Sequence, residues 1–141
     1  MTFSESIRTC LSKFATWEGR AVRSEYWYFA LFCILCQIAA SIVDGVLGTR
    51  FQMTNPATGE TQSMFYGWVY MLTGLALLLP NLAAVVRRLH DTDRSGWWYW
   101  IALIPLIGII LLIVWLASRG TNGTNRFGSD PLGADLGTTF N

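Results

Sequence analysis

Three apolar runs separated by polar stretches constrain this chain more than any other feature. They cover residues 26–47, 64–86 and 97–117. A helix of about 20 residues, rising about 1.5 Å per residue, is as long as a bilayer's hydrocarbon core is thick, about 30 Å. The chain has 141 residues, enough for one domain. It is 52% hydrophobic and 13% charged, about half the charged share usual in a soluble domain. A soluble globule of this size has too little interior to hide so much apolar surface. The pattern predicts an all-α integral membrane protein with three transmembrane helices. Residues 1–120 form a single membrane domain in this reading. Residues 121–141, rich in Gly and Asn and poor in apolar groups, are expected to be a loop or disordered tail.

The N-terminal segment follows a different pattern. Phe3, Ile7, Cys10, Leu11, Phe14 and Trp17 recur at steps of three and four, which places them on one helical face. This predicts an amphipathic helix lying in the membrane interface. A cytosolic helix packed on the rest of the protein would use the same face. Gly19 is expected to end it, and Arg20 to Glu25 form a charged hinge. Tyr26, Trp27 and Tyr28 stand at the entrance of the first run, where amphipathic rings favour the headgroup level. Asp44, the one acid in that run, is expected at the interface or facing other helices, because an unpaired central carboxylate is costly. Residues 48–63 read as a polar loop with a turn at Asn55-Pro56.

Orientation follows from Lys and Arg near the helix ends. With three spans and the N-terminus inside, seven such residues lie inside and three outside. This favours a cytoplasmic N-terminus, an inward central block and an outward tail. In the alternative, Pro105 and Gly108 divide the third run into two short helices that re-enter, returning Arg126 to the inner face. The eight residues before Pro105 reach only about 12 Å as α-helix, too little to cross alone.

Several chemistries are disfavoured. Cys10, Cys33 and Cys36 are an odd number, two of them in an apolar run, which does not describe a disulfide framework. One His and three scattered Cys do not make a structural zinc set. Cys33-Ile34-Leu35-Cys36 lies mid-run, away from the helix N-terminus that a redox thiol uses. Net charge is +1, so no global field points to nucleic acid. No metal or cofactor is expected.

The candidate functional stretch is Arg87-Arg88-Leu89-His90-Asp91, followed by Arg94-Ser95-Gly96-Trp97-Trp98. It lies between the second and third runs and holds the only His. Arg87, Asp91 and Arg94 share a helical face if the second helix continues past Val86. The plain reading is an ion-pair cluster that ends a membrane helix and sets its orientation. The sharper one is an anionic lipid site. Arg87, Arg88 and Arg94 would supply forked donors, Ser95 and Gly96 the start of a helix, and Trp97 and Trp98 the depth. His90 and Asp91 are adjacent, so their side chains diverge on a helix and make a poor catalytic pair. They read as polar or pH-responsive groups, and no catalytic residue is assigned.

Four blocks also carry a family resemblance: Gly19 to Trp27, the central Arg87–Trp98 stretch, Ile104-Pro105-Leu106-Ile107-Gly108, and Asn125-Arg126-Phe127-Gly128-Ser129-Asp130-Pro131. In this order the chain resembles the bacterial YhaH-like inner-membrane family, known as domain of unknown function 805. The resemblance implies a small multi-pass protein of the bacterial cytoplasmic membrane and implies no reaction. The expectation is a non-enzymatic membrane protein that binds anionic lipid headgroups or a partner protein through residues 87–98, with a homo-oligomer left open. The alternative is an oligomeric small-solute or ion transporter, for which Asp44 is the one ionisable group within a span.

Overall fold

The computed structural model describes residues 1–133 and is mostly helical. Its elements are α1 (Phe3–Ser12), α2 (Arg23–Leu47), β1 (Arg50–Thr54), β2 (Thr61–Gly67), α3 (Trp68–Asp91), a 3₁₀ helix (Gly96–Leu103) and α4 (Ile107–Ala117). They fall into two compact units: Leu31–Leu79, and Met1–Ala30 together with the chain from Pro80 onward. Two helices, α2 and α3, are long and apolar enough to cross a membrane.

In the Leu31–Leu79 unit the expected polar loop is a β-hairpin. Strands β1 and β2 pair antiparallel, with an irregularity between Arg50 and Gln52. The chain is therefore not purely α. Asp44 joins this hairpin to the helices. Its carboxylate accepts from the backbone N–H of Val69 at 3.0 Å and of Tyr70 at 2.9 Å, and from the Thr49 hydroxyl. Those N–H groups belong to the first turn of α3, which no preceding carbonyl within the helix satisfies. Asp44 thus caps α3 from the end of α2, and its negative charge suits the positive end of the helix dipole. A Cβ on Gly67 would lie 2.2 Å from the Thr49 carbonyl oxygen, so only Gly fits this junction.

In the other unit, α1 begins with a capping box. Thr2 Oγ1 accepts from Glu5 N, and the Glu5 carboxylate accepts from Thr2 N at 2.8 Å. The helix ends at Ser12, earlier than the apolar periodicity predicts. The side chains it buries are Ser6 and Cys10, while Phe3, Leu11, Phe14 and Trp17 stay exposed.

The third apolar run is not one helix, and the expected third span over 97–117 is replaced by a hairpin. Eight residues of 3₁₀ helix rise about 16 Å, and the 11 residues of α4 rise about 16 Å. Neither arm approaches the about 30 Å of a hydrocarbon core. The break is local. Pro105 cannot donate a helical hydrogen bond, and Ile107 N donates to the Pro105 carbonyl at 2.8 Å. This closes a γ-turn around Leu106, whose φ is 63° and ψ −68°, the rare and strained hand of that turn. Gly108 lets the arms meet, since a Cβ there would stand 1.8 Å from the Ile101 carbonyl oxygen. The hairpin packs Leu112 and Leu116 on Val85 and Leu89 of α3, with Tyr26, Tyr99 and Trp115 around them.

Leu106→Gly should relieve the left-handed turn and raise the thermal midpoint in detergent, by about 1 kcal/mol of stability. Gly108→Ala should lower it by about 1–3 kcal/mol, as overpacking against backbone does.

Candidate functional site

The central block is the end of α3, and its charges are turned inward. Arg87 and Arg88 are 1% and 0% exposed. Arg87 NH1 donates to Glu25 of α2, and its NH2 lies 3.9 Å from the Cys10 sulfur of α1. Its Nε–H has no acceptor among the described residues. Arg88 NH1 donates to Asp91 one turn on and to the Ala21 carbonyl at 3.3 Å. Arg88 Nε donates to the Leu116 carbonyl at 2.9 Å, and NH2 to that of Ser118. Asp91 also takes Arg20, whose Nε lies 3.0 Å from Oδ1.

Three arginines and two carboxylates leave one positive charge in excess. Backbone carbonyls offset it. Leu116 and Ser118 end α4, where the helix dipole is negative and favours a cation. Arg20 spends its other donors on the carbonyls of Thr121 at 2.6 Å and Gly123 at 2.7 Å. Cys10 borders the same cluster, its Sγ 3.8 Å from Glu25. Burial, then the Glu25 carboxylate, pushes its thiol up to about 11, so it stays protonated and poorly nucleophilic near neutrality.

The tail is loop over 121–133, as expected, and it is held against the end of α3; the remainder of the 121–141 stretch lies outside the described residues. Thr121 N donates to the Asp91 carbonyl at 2.7 Å, and Asn125 Nδ2 to that of His90 at 2.9 Å. Phe127 stacks on His90 with centroids 3.9 Å apart and planes within 3°. Asp130 accepts from Gly123 N and Leu132 N, both at 2.9 Å. The Gly123 N–H, first, holds its carboxyl below the usual carboxylate range. Hydrogen bonds rather than apolar burial order this segment, so a hydropathy reading misses how it is held.

The residues expected to form an anion site are therefore not brought together as one. Arg88 has committed its fork to internal acceptors, and Arg87 has turned NH1 and NH2 to Glu25 and Cys10, leaving a buried Nε–H. Helix α3 ends at Asp91, so Arg94 leaves the shared face and lies over the Trp115 ring at 4.6 Å. Ser95 Oγ already accepts from Trp97 N at 3.3 Å, taking a donor an anion would use. Gly96 is pressed against Val86, 2.9 Å from an added Cβ. Trp97 and Trp98 are exposed. His90 and Asp91 diverge: His90 Nδ1 bonds the Gly19 carbonyl at 3.0 Å, and Asp91 faces the arginines. The sequence reading missed Arg20, Glu25 and Cys10. Their signal was the charged hinge itself, a basic and an acidic residue at the mouth of an apolar run.

A family model described as a protein of unknown function (DUF805) matches residues 14–129. The chain belongs to this family. Relatives include the inner membrane proteins YhaH and YhaI of Escherichia coli strain K12, 40% and 36% identical over 121 residues. Those alignments cover 86% of this chain and 91% and 90% of theirs. No solved structure matches. This DUF805 chain is thus a protein of the bacterial inner membrane. Three of the four blocks that carried the resemblance meet in the cluster: residues 19–25, the end of α3, and residues 125–128.

Removing one partner from a buried pair strands the other charge, at about 3–5 kcal/mol. Asp91→Asn should therefore lower the thermal midpoint sharply, while Asp93→Asn, in an exposed pair with Arg126 at 3.4 Å, should cost about 0–1 kcal/mol. Alkylation of Cys10 at neutral pH should be slow in the native protein and in Asp93→Asn, and fast in Asp91→Asn.

Proposed function

We propose that this protein is a non-enzymatic, multi-pass inner-membrane component with a cytoplasmic N-terminus, and that its role is contact with anionic lipid. The observation that carries this reading is how its cations are divided. Arg20, Arg87 and Arg88 are buried and occupied, whereas Arg8, Lys13, Arg23 and Arg119 are exposed. The buried set is a lock, so headgroup contact falls to the exposed set. Basic groups at an anionic leaflet contribute about 1 kcal/mol each. Arg23 lies at the start of α2 and its NH1 reaches the Ala117 carbonyl at 3.5 Å, close to Arg119 along the chain. The transporter alternative loses its main support, because Asp44 is engaged as the cap of α3.

In this reading α2 and α3 span the membrane and the 97–117 hairpin enters and returns on one side. Its tip supports this, since Leu103, Ile104, Leu106 and Ile107 are all exposed and apolar. In a cysteine-free background, Asp93→Cys and Ser129→Cys should be labelled by an impermeant reagent from the same side, and Ala57→Cys from the opposite one. Labelling of positions 93 and 129 from opposite sides would end the re-entrant model.

Native mass spectrometry of the full chain tests the lipid role. Phosphatidylglycerol should be retained in preference to phosphatidylcholine, and Arg23→Ala/Arg119→Ala should lose about thirtyfold of that preference, at about 1 kcal/mol per cation. Equal retention of the two lipids would refute it.

A further inference from the structure

Beside the charge cluster lies an open groove of about 530 Å³, within the range of about 300–1,000 Å³ typical of small-molecule sites. Its apolar walls are Leu82 and Val86 of α3, Trp97, Tyr99 and Trp100 of the 3₁₀ helix, and Trp17. His90 and Ser95 complete the lining. None of the lining residues is Asp, Glu, Lys or Arg.

Besides the Tyr99 hydroxyl and the indole N–H groups of the walls, His90 and Ser95 offer a specific pair of functions. The Gly19 carbonyl can only accept, so in the neutral imidazole His90 Nδ1 carries the proton of their 3.0 Å bond. Nε2 is then an acceptor. Ser95 Oγ accepts from Trp97 N at 3.3 Å, which leaves its own proton to donate. One acceptor and one donor match a hydroxyl group, which both donates and accepts. A phosphate or carboxylate would enter without a counter-charge, at a desolvation cost. The exposed rims of Trp97 and Trp100 belong to the same arm that leads to the apolar hairpin tip, so the groove is continuous with the surface assigned to the bilayer.

We propose that this groove binds one acyl chain of a neutral, hydroxyl-headed lipid of the monoacylglycerol class, with the hydroxyl on His90 and Ser95. The site is separate from the exposed cations of the anionic-lipid reading and does not require that reading to hold.

Native mass spectrometry of the full chain tests it with three probes: monoolein, oleate and methyl oleate. Monoolein should be retained about fivefold better than methyl oleate, the worth of about one net hydrogen bond. It should also exceed oleate. Leu82→Trp, which fills the groove away from the charge cluster, should abolish monoolein retention. Ser95→Ala should lower monoolein toward the methyl oleate level and leave methyl oleate unchanged. Equal retention of monoolein and methyl oleate by the native chain would overturn the proposal, as would undiminished monoolein in both variants. A dimer that dissociates in Leu82→Trp, without retention of any probe by the native chain, would instead assign the groove to a second copy. If Leu82→Trp fails to fold, judged by rapid Cys10 alkylation, the Ser95→Ala comparison decides.

Discussion

Asp91 holds two arginines from different parts of the chain, and the surrounding unit depends on that one carboxylate. Arg20 precedes α2 and Arg88 belongs to α3; both end on it within hydrogen-bonding distance. Each then spends its remaining donors on backbone carbonyls, of α4 for Arg88 and of the tail for Arg20. A single acid therefore fixes the hinge, the end of a long helix, the return of the hairpin and the start of the tail. Buried ion pairs are weak sources of net stability and costly to break. Their effect here is to specify one arrangement: a shifted hinge or hairpin would leave an unpaired charge.

The same logic explains why Arg88 has no donor group left without an internal acceptor. A guanidinium has five donors in a fixed fork, and in Arg88 these reach Asp91 and three backbone carbonyls. Gly120 shows how closely this was built, because a Cβ there would lie 2.1 Å from an Asp91 oxygen. The surfaces left for other molecules are of two kinds. One is a scatter of exposed cations, suited to charged headgroups; the other is an aromatic groove without charge, suited to an apolar chain.

The hairpin gives the fold its second constraint. Its tip is strained at Leu106 and crowded at Gly108, yet its far end supplies the carbonyls that Arg88 needs. Loss of the turn would withdraw acceptors from the cluster, and loss of the cluster would free the hairpin. The two features are coupled through α4, whose apolar face on Val85 and Leu89 holds both in register.

Much of the architecture was legible in the chain. Two runs of about 20 apolar residues dictate two membrane-length helices, because only helices satisfy every backbone group without water. The apolar steps of three and four that begin at Phe3 announce the first helix. Four ordered blocks pointed to the family. Tertiary structure alone decided which charges meet. Arg20 and Asp91 are 71 residues apart, and Glu25 and Arg87 62 apart. No local periodicity encodes such pairs. It also decided that the third run folds back, since Pro105 permits either a kinked span or a return, and the turn at Leu106 with Gly108 against Ile101 makes the return. The β-hairpin and the placement of the tail were hidden for a related reason. Both are ordered by hydrogen bonds, between neighbouring strands in the hairpin and to distant partners in the tail, which hydropathy does not register.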